Sequence, residues 1–247
     1  MLRRSGWIGM VEGRTDMRHG ATVAKPFGEN QPASETVTAA SKDPPHHRPA
    51  DPEGTQAVYE AHAAAWDRQR HKGLIERPWL DRLLALAGPD AAILDLGCGA
   101  GEPIARYLVA QGCRVTGVDF AAAMLAIART RLPAARWLQG DMRELDLAER
   151  FAGIVAWDSF FHLTRDEQRA VIPRLARHLA PGGALLVTVG PEDSEVTGTV
   201  DGAAVHHASL SPKEYARLLA RAGLELVDFV AEDPACDHHS VLLAQRI

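Results

Sequence analysis

Hydrophobic positions along this chain fall into two regimes. As far as about Pro52 they follow no sustained period, and Pro, Gly, Ser, Thr and charged residues dominate. The stretch Asp43-Pro44-Pro45-His46-His47-Arg48-Pro49 cannot continue a helix or a central strand. Residues 1–52 are therefore expected to form a disordered tail ahead of a domain over 53–247. From Gln56 the pattern becomes regular. Residues 56–70 read as a helix carrying Tyr59, His62 and Trp66. Residues 77–87 read as a second, with Pro78 in its first turn and Gly88-Pro89 to stop it. Apolar runs bounded by turn residues then alternate with helical stretches: strand 91–96, helix 102–110, strand 114–118, helix 121–131, strand 135–138, strand 151–157 and helix 165–179. Thr164 and Glu167 supply a capping box for the last of these. Strand 184–189 follows, then a long connection to Ser209, a helix opened by Ser211-Pro212-Lys213-Glu214 and stopped by Gly223, and strands 224–231 and 239–245. This alternation predicts an α/β domain, doubly wound, with a mostly parallel sheet and helices on both faces, preceded by a helical cap over 53–88.

The candidate chemistry gathers where strands end. Ala91-Ala92-Ile93-Leu94-Asp95-Leu96 runs into Gly97-Cys98-Gly99-Ala100-Gly101, and Pro103 follows in the first turn of the next helix. Glycines at a strand-to-helix turn let backbone approach a ligand and aim helix N–H groups at it. The next strand ends in Asp119, about 20 residues on, where a β-α-β unit holds ribose hydroxyls. A dinucleotide fingerprint, G-x-G-x-x-G, is not met, because the position after Gly101 is Glu102. A pyrophosphate would face Asp95 and Glu102, whereas a ligand carrying an ammonium and a sulfonium is favoured by the same charges.

At these residues the chain resembles the class I S-adenosylmethionine-dependent methyltransferases. Their glycine-rich motif appears as Ile93 to Gly101, their ribose motif as Gly117-Val118-Asp119-Phe120 and their adenine motif as Gly140-Asp141-Met142. The turn Leu179-Ala180-Pro181-Gly182-Gly183 before an apolar strand also matches. The resemblance covers roughly Tyr59 to Gln245 and implies a seven-stranded Rossmann-like sheet, its seventh strand antiparallel, with S-adenosylmethionine as cofactor. It implies that Asp95 and the backbone of Gly97, Cys98, Gly99 and Gly101 contact the methionine part, and that Asp119 chelates the ribose. Asp141 and the Met142 N–H would meet the adenine edge, Phe120 and Met142 its faces, and Met124, Trp157, Trp66 and Arg70 complete the expected cofactor wall. Arg70 is expected to pair with a carboxylate of cofactor or substrate.

For the acceptor, Trp157-Asp158-Ser159-Phe160-Phe161-His162 after the fourth strand is not the Asn/Asp-Pro-Pro-Tyr pattern of nucleobase and glutamine amino methylation. Trp157 and Phe161 can wall a small pocket. Asp158 and His162 either orient or deprotonate the acceptor or simply hold the loop. His207, in the long connection, is a candidate base or ligand on a lid. Neighbouring histidines, with His238 and His239, show no metal-ligand spacing, and no metal is expected.

Composition narrows the class. With 46% hydrophobic and 24% charged residues the chain is ordinary for a soluble protein. A net charge of −5 argues against generic nucleic-acid binding. Cys98, Cys113 and Cys236 show no paired spacing, as suits a reducing compartment, and no apolar stretch reaches membrane-spanning length, so a cytoplasmic location is expected. The expected function is methyl transfer to an oxygen, nitrogen or carboxylate of a small molecule, by a monomer or homodimer. The rival readings are a non-catalytic binding module for the same cofactor and a nicotinamide-dependent oxidoreductase.

Overall fold

The computed structural model describes residues 54–247; the expected tail, 1–52, lies outside them. Two helices lead, α1 (Thr55–Gln69) and α2 (Arg77–Ala87). Then come β1 (Ala92–Leu96), α3 (Ile104–Ala110), β2 (Arg114–Asp119), α4 (Ala122–Arg131), β3 (Arg136–Gln139) and β4 (Phe151–Ala156). The chain continues through α5 (Arg165–His178), β5 (Leu179–Val189), β6 (Ser194–Val200), β7 (Ala203–Ser209), α6 (Pro212–Arg221), β8 (Leu224–Asp233) and β9 (His239–Arg246). Seven strands form one sheet in the order β3-β2-β1-β4-β5-β9-β8, parallel from β3 to β5 and antiparallel at β9 and β8. Both faces are covered, which is why the central strands read as continuous apolar runs. Leu94, Leu96, Ile154 and Ala156 face Val171, Ile172, Leu175, Tyr215 and Leu219 of α5 and α6. Ile93, Val115, Val155 and Leu186 face Leu80, Leu83, Leu108 and Leu125 of α2, α3 and α4.

Local chemistry explains the helix ends. Thr164 and Glu167 form a reciprocal capping box on α5, and the Ser211 side chain accepts from the Glu214 N–H at the start of α6. The largest departure from expectation is the connection after β5. Instead of an irregular loop, Ser194–Val200 and Ala203–Ser209 pair as an antiparallel hairpin. Its turn is Asp201-Gly202, both with positive φ, the backbone that a two-residue hairpin of the right twist needs. Strand β5 also begins earlier than expected, at Leu179, because Phe151 extends the ladder to it.

The hairpin brings Val200 and Val205 against Tyr59, Ala63 and Met124, so α1 lies between the hairpin and α4. Its remaining attachments are polar. Asp67 takes two bonds of 2.8 Å from Arg131, His62 and Gln69 meet Asp201 at 2.9 and 3.3 Å, and Glu60 accepts from the Ala123 N–H.

Gly117 of β2 lies beside Trp137 of β3, and a Cβ there would fall 2.3 Å from the indole ring. Gly117→Ala is expected to destabilise the domain by about 1–3 kcal/mol through overpacking, seen as a lower urea midpoint; an unchanged midpoint would show that the indole can move aside freely.

Candidate functional site

One large cavity opens at the carboxyl ends of β1 to β4, where the strand order diverges on either side of β1. It encloses about 1100 Å³ of free space, its open mouth included. The chain leaves β1 through Gly97, whose φ is +70°. A side chain there would drive its Cβ to 2.2 Å from that of Ser159. Ser159 in turn donates from Oγ to the Leu96 carbonyl at 2.7 Å, locking the ends of β1 and β4 together. Asp119, at the end of β2, accepts from the N–H groups of Gly99 and Ala121, each at 2.8 Å. Burial raises its carboxyl to about 6, against the pull of those two amides. Each oxygen keeps a lone pair for a ligand hydroxyl. Asp95 is different. It is buried in the wall and no hydrogen bond or ion pair among the described residues reaches it; burial first, then the Asp119 charge, lift it to about 7.

At the end of β4 the polar groups are already matched. Asp158, at φ +50°, receives Arg70 at 2.7 Å on one oxygen and His239 Nε2 at 2.9 Å on the other. Burial opposes its ionisation, but Arg70 and His239 outweigh that and hold the carboxyl at about 2. His239 also donates from Nδ1 to the Cys236 carbonyl at 2.7 Å. Both partners of the ring only accept, so it carries both protons, in line with a pKa raised to about 9 although burial works against it. Arg70 divides itself between Asp158 and Glu76, the latter at 2.7 Å. Asp158 is therefore no proton acceptor, and Arg70 is not free to be a ligand's sole counter-ion.

His162 meets the cavity wall with Nε2 2.9 Å from the Tyr59 hydroxyl and Nδ1 3.0 Å from the His206 carbonyl. Burial depresses it to about 4, so the ring is neutral. His207 lies in β7 opposite Val196, its ring against Phe161 and His162, and is not in the wall. Burial pushes it down to about 3, which removes it as a base. Phe161 is likewise outside the wall, and Gly101 faces Trp137 rather than the cavity. Cys98, Gly99, Phe120, Met124, Asp141, Met142, Trp157, Trp66 and Arg70 do line it. Asp141 is gripped by Arg143, which also reaches Glu167. Glu102 is neutralised by Arg106, Arg131 and Lys72, so the acidity of the cavity rests on Asp95 and Asp119 rather than on Asp95 and Glu102.

Three participants escaped sequence reasoning. Thr55 lines the cavity with a buried hydroxyl that has no protein partner, as does the indole N–H of Trp157. Glu76 and His239 bracket the Arg70–Asp158 pair from distant parts of the chain. No local pattern marks any of these roles. Among the described residues no cluster of three or more His, Cys, Asp or Glu is placed to hold a metal.

Residues 93–183 match the family model described as a methyltransferase domain. Over that span the chain carries a methyltransferase domain, on a fold like that of an S-adenosylmethionine-bound methyltransferase. It is 33% identical over 152 residues to a dTDP-4-amino-2,3,4,6-tetradeoxy-D-glucose N,N-dimethyltransferase of Saccharopolyspora spinosa, a match over 59% of this chain and 61% of that one. To a malonyl-[acyl-carrier protein] O-methyltransferase of Enterobacter lignolyticus it is 34% identical over 58% of this chain and 57% of the relative. The chain thus spans less than two thirds of these relatives' lengths. The S-adenosylmethionine-bound structure of an amino pentose methyltransferase from Micromonospora echinaspora superposes with a TM-score of 0.58 at 27% identity, covering 77% of this chain and 97% of that one. The fold whose sheet carries Asp95 and Asp119 here is shared with that solved structure.

A buried Asp95 with a raised pKa adds stability that is fully present below about pH 4 and lost as the pH rises through about 7. At pH 8 the unliganded domain then carries a penalty on the order of 4 kcal/mol. Asp95→Asn is expected to raise the melting temperature at pH 8 and to leave it near wild type at pH 4; calorimetry showing equal shifts at both pH values would contradict this.

Proposed function

We propose that this domain binds S-adenosylmethionine across the ends of β1 to β4 and transfers its methyl group to a nucleophilic oxygen or nitrogen of a small molecule. One observation carries the reading: an unpartnered buried carboxyl, Asp95, beside an amide-held carboxylate, Asp119, in a cavity of the class I sheet. A ligand with a positive methionine end and a ribose diol supplies what both lack. Of the five buried side-chain polar atoms without a hydrogen-bond partner among the described residues, the two that belong to cavity-lining residues, Trp157 Nε1 and Thr55 Oγ1, fit a ligand that also bears a carboxylate and hydroxyls. Bound there, S-adenosylmethionine supplies a methyl group activated by its sulfonium.

The chain's own residues hold and orient. Asp119 accepts the ribose hydroxyls, Phe120 and Met142 flank the adenine, and Asp141, steadied by Arg143, meets its edge. Asp95 faces the methionine ammonium, while the Trp157 N–H is aimed at the carboxylate. Helix α1 closes the cavity as a cap, with Tyr59 and Trp66 in the wall. Methyl displacement asks for alignment and exclusion of water, and good alignment can supply on the order of 7–11 kcal/mol of the barrier. No helix of the described residues is long and apolar enough to cross a membrane, and three buried free cysteines support a reducing, cytoplasmic setting.

Titration calorimetry tests the cofactor. S-adenosylhomocysteine should bind, NAD should not, and Asp119→Ala should weaken binding by roughly 10- to 100-fold, the loss expected for hydrogen bonds to a charged group. Saturation by NAD with no heat from S-adenosylhomocysteine would reject the reading. Protonating Asp95 and Asp119 removes negative charge from the cavity that favours both the ammonium and the sulfonium of the cofactor, whereas the product keeps only the ammonium. Affinity for S-adenosylmethionine should therefore fall as pH is lowered from 8 through 7 and 6, more steeply than affinity for the product, whose sulfur is neutral.

A further inference from the structure

The hydrogen-bond chain at Tyr59 limits what the acceptor can be. The His206 carbonyl only accepts, so the His162 Nδ1 beside it carries the proton. The buried ring is neutral, which leaves Nε2 bare, and Nε2 takes the proton of the Tyr59 hydroxyl at 2.9 Å. The phenol has no second proton to give. Towards a ligand, Tyr59 Oη therefore offers lone pairs alone. The side chain belongs to the cavity wall, with the ring of Phe120 at 6.0 Å and that of Trp66 at 5.6 Å, and within electrostatic reach of both Asp119 and Asp158. It stands between the end of β2 and the end of β4, on the way from the nucleoside pole to the cap.

The charges around it point the same way. Among the described residues lining the cavity the only permanent cations are Arg70 and Arg143. Each is bracketed by two carboxylates: Arg70 by Asp158 and Glu76, Arg143 by Asp141 and Glu167. A carboxylate acceptor would find no free counter-charge and would meet the lone pairs of Tyr59.

We infer that the methyl acceptor is an uncharged amine whose N–H is held by Tyr59 Oη; this rests on the methyltransferase reading above. The nitrogen lone pair forms the new bond to the methyl carbon as the carbon–sulfur bond breaks, and the bonding pair stays on sulfur. The product leaves as an ammonium, with its proton still on nitrogen and pointing at Tyr59. No base is consumed. A hydroxyl acceptor would instead have to pass its proton through Tyr59 to His162, whose buried ring, at a pKa of about 4, is a weak base at neutral pH.

The test supplies the protein with S-adenosylmethionine labelled with 13C at its methyl group and with a metabolite extract from cells grown on 15N. The expected product shows the labelled carbon split by coupling to 15N. Label released as methanol by mild alkali, or held in an ether without nitrogen coupling, overturns the inference and leaves the methyltransferase reading standing if S-adenosylhomocysteine still binds. With that labelled acceptor, Tyr59→Phe should lower kcat/KM roughly tenfold while affinity for S-adenosylhomocysteine stays within about twofold; unchanged kcat/KM removes Tyr59 from the acceptor site. Ring 15N spectra of histidine-labelled protein at pH 7 give a check independent of turnover: His162 should be the Nδ1–H tautomer, and an Nε2–H tautomer would overturn the assignment.

Discussion

A carboxylate taken out of water must be met by cations or N–H donors, or give up its charge. Three strand ends in this domain answer that demand in three ways. Asp158 has two cations, Arg70 and His239, and stays ionised at all ordinary pH values. Asp119 has two backbone amides and is left partly compensated. Asp95 has no hydrogen-bond or ion-pair partner among the described residues, and burial and the Asp119 charge outweigh the pull of Arg70 and raise its affinity for protons. The division follows: Asp158 ties the structure together, Asp119 keeps free acceptor capacity, and Asp95 gives up its charge unless a cation meets it.

The matched end of this series also fixes the architecture of the wall. Arg70 follows the last residue of α1, Glu76 precedes α2, Asp158 follows β4 and His239 opens β9. One buried network thus joins the leading helices to the sheet at the point where Trp157 enters the cavity, with the indole 5.4 Å from the His239 ring. Elsewhere α1 buries only Thr55, Tyr59 and Ala63, and it is secured by ion pairs and hydrogen bonds to α4 and to the hairpin. An element held more by polar contacts than by apolar packing is the kind that opens locally at low free energy. That property suits a helix whose Thr55, Tyr59, Trp66 and Asp67 line the cavity.

Much of this was legible in the chain itself. The parallel strands are buried on both faces, so their apolar runs and glycine stops identify them without knowledge of their neighbours. Placing Asp95 and Asp119 at consecutive strand ends then follows from spacing alone. Two features depart from the sequence pattern for different physical reasons. The hairpin is present in the sequence, since Asp201-Gly202 stands between Val196, Gly198, Val200 and Ala203, Val205, His207, but its strands are short and only weakly alternating, so the segment resembles a long loop. Glu102 looks like a free negative charge in the sequence because Arg131 and Lys72, which cancel it, are distant along the chain.

The parallel strands, the glycine turn and the identity of the carboxyl groups facing the cavity are readable from the chain, because each is encoded by residues within one β-α-β span. Which groups keep their protons emerges on folding. Asp158 and His162 both looked like acid–base candidates, yet one is clamped as an anion and the other is held as a neutral Nδ1–H tautomer with its remaining nitrogen committed to Tyr59. A pKa and a hydrogen-bond direction depend on what stands within a few ångströms. The partners here come from α1, the β6–β7 hairpin and β9, which meet only when the chain is folded.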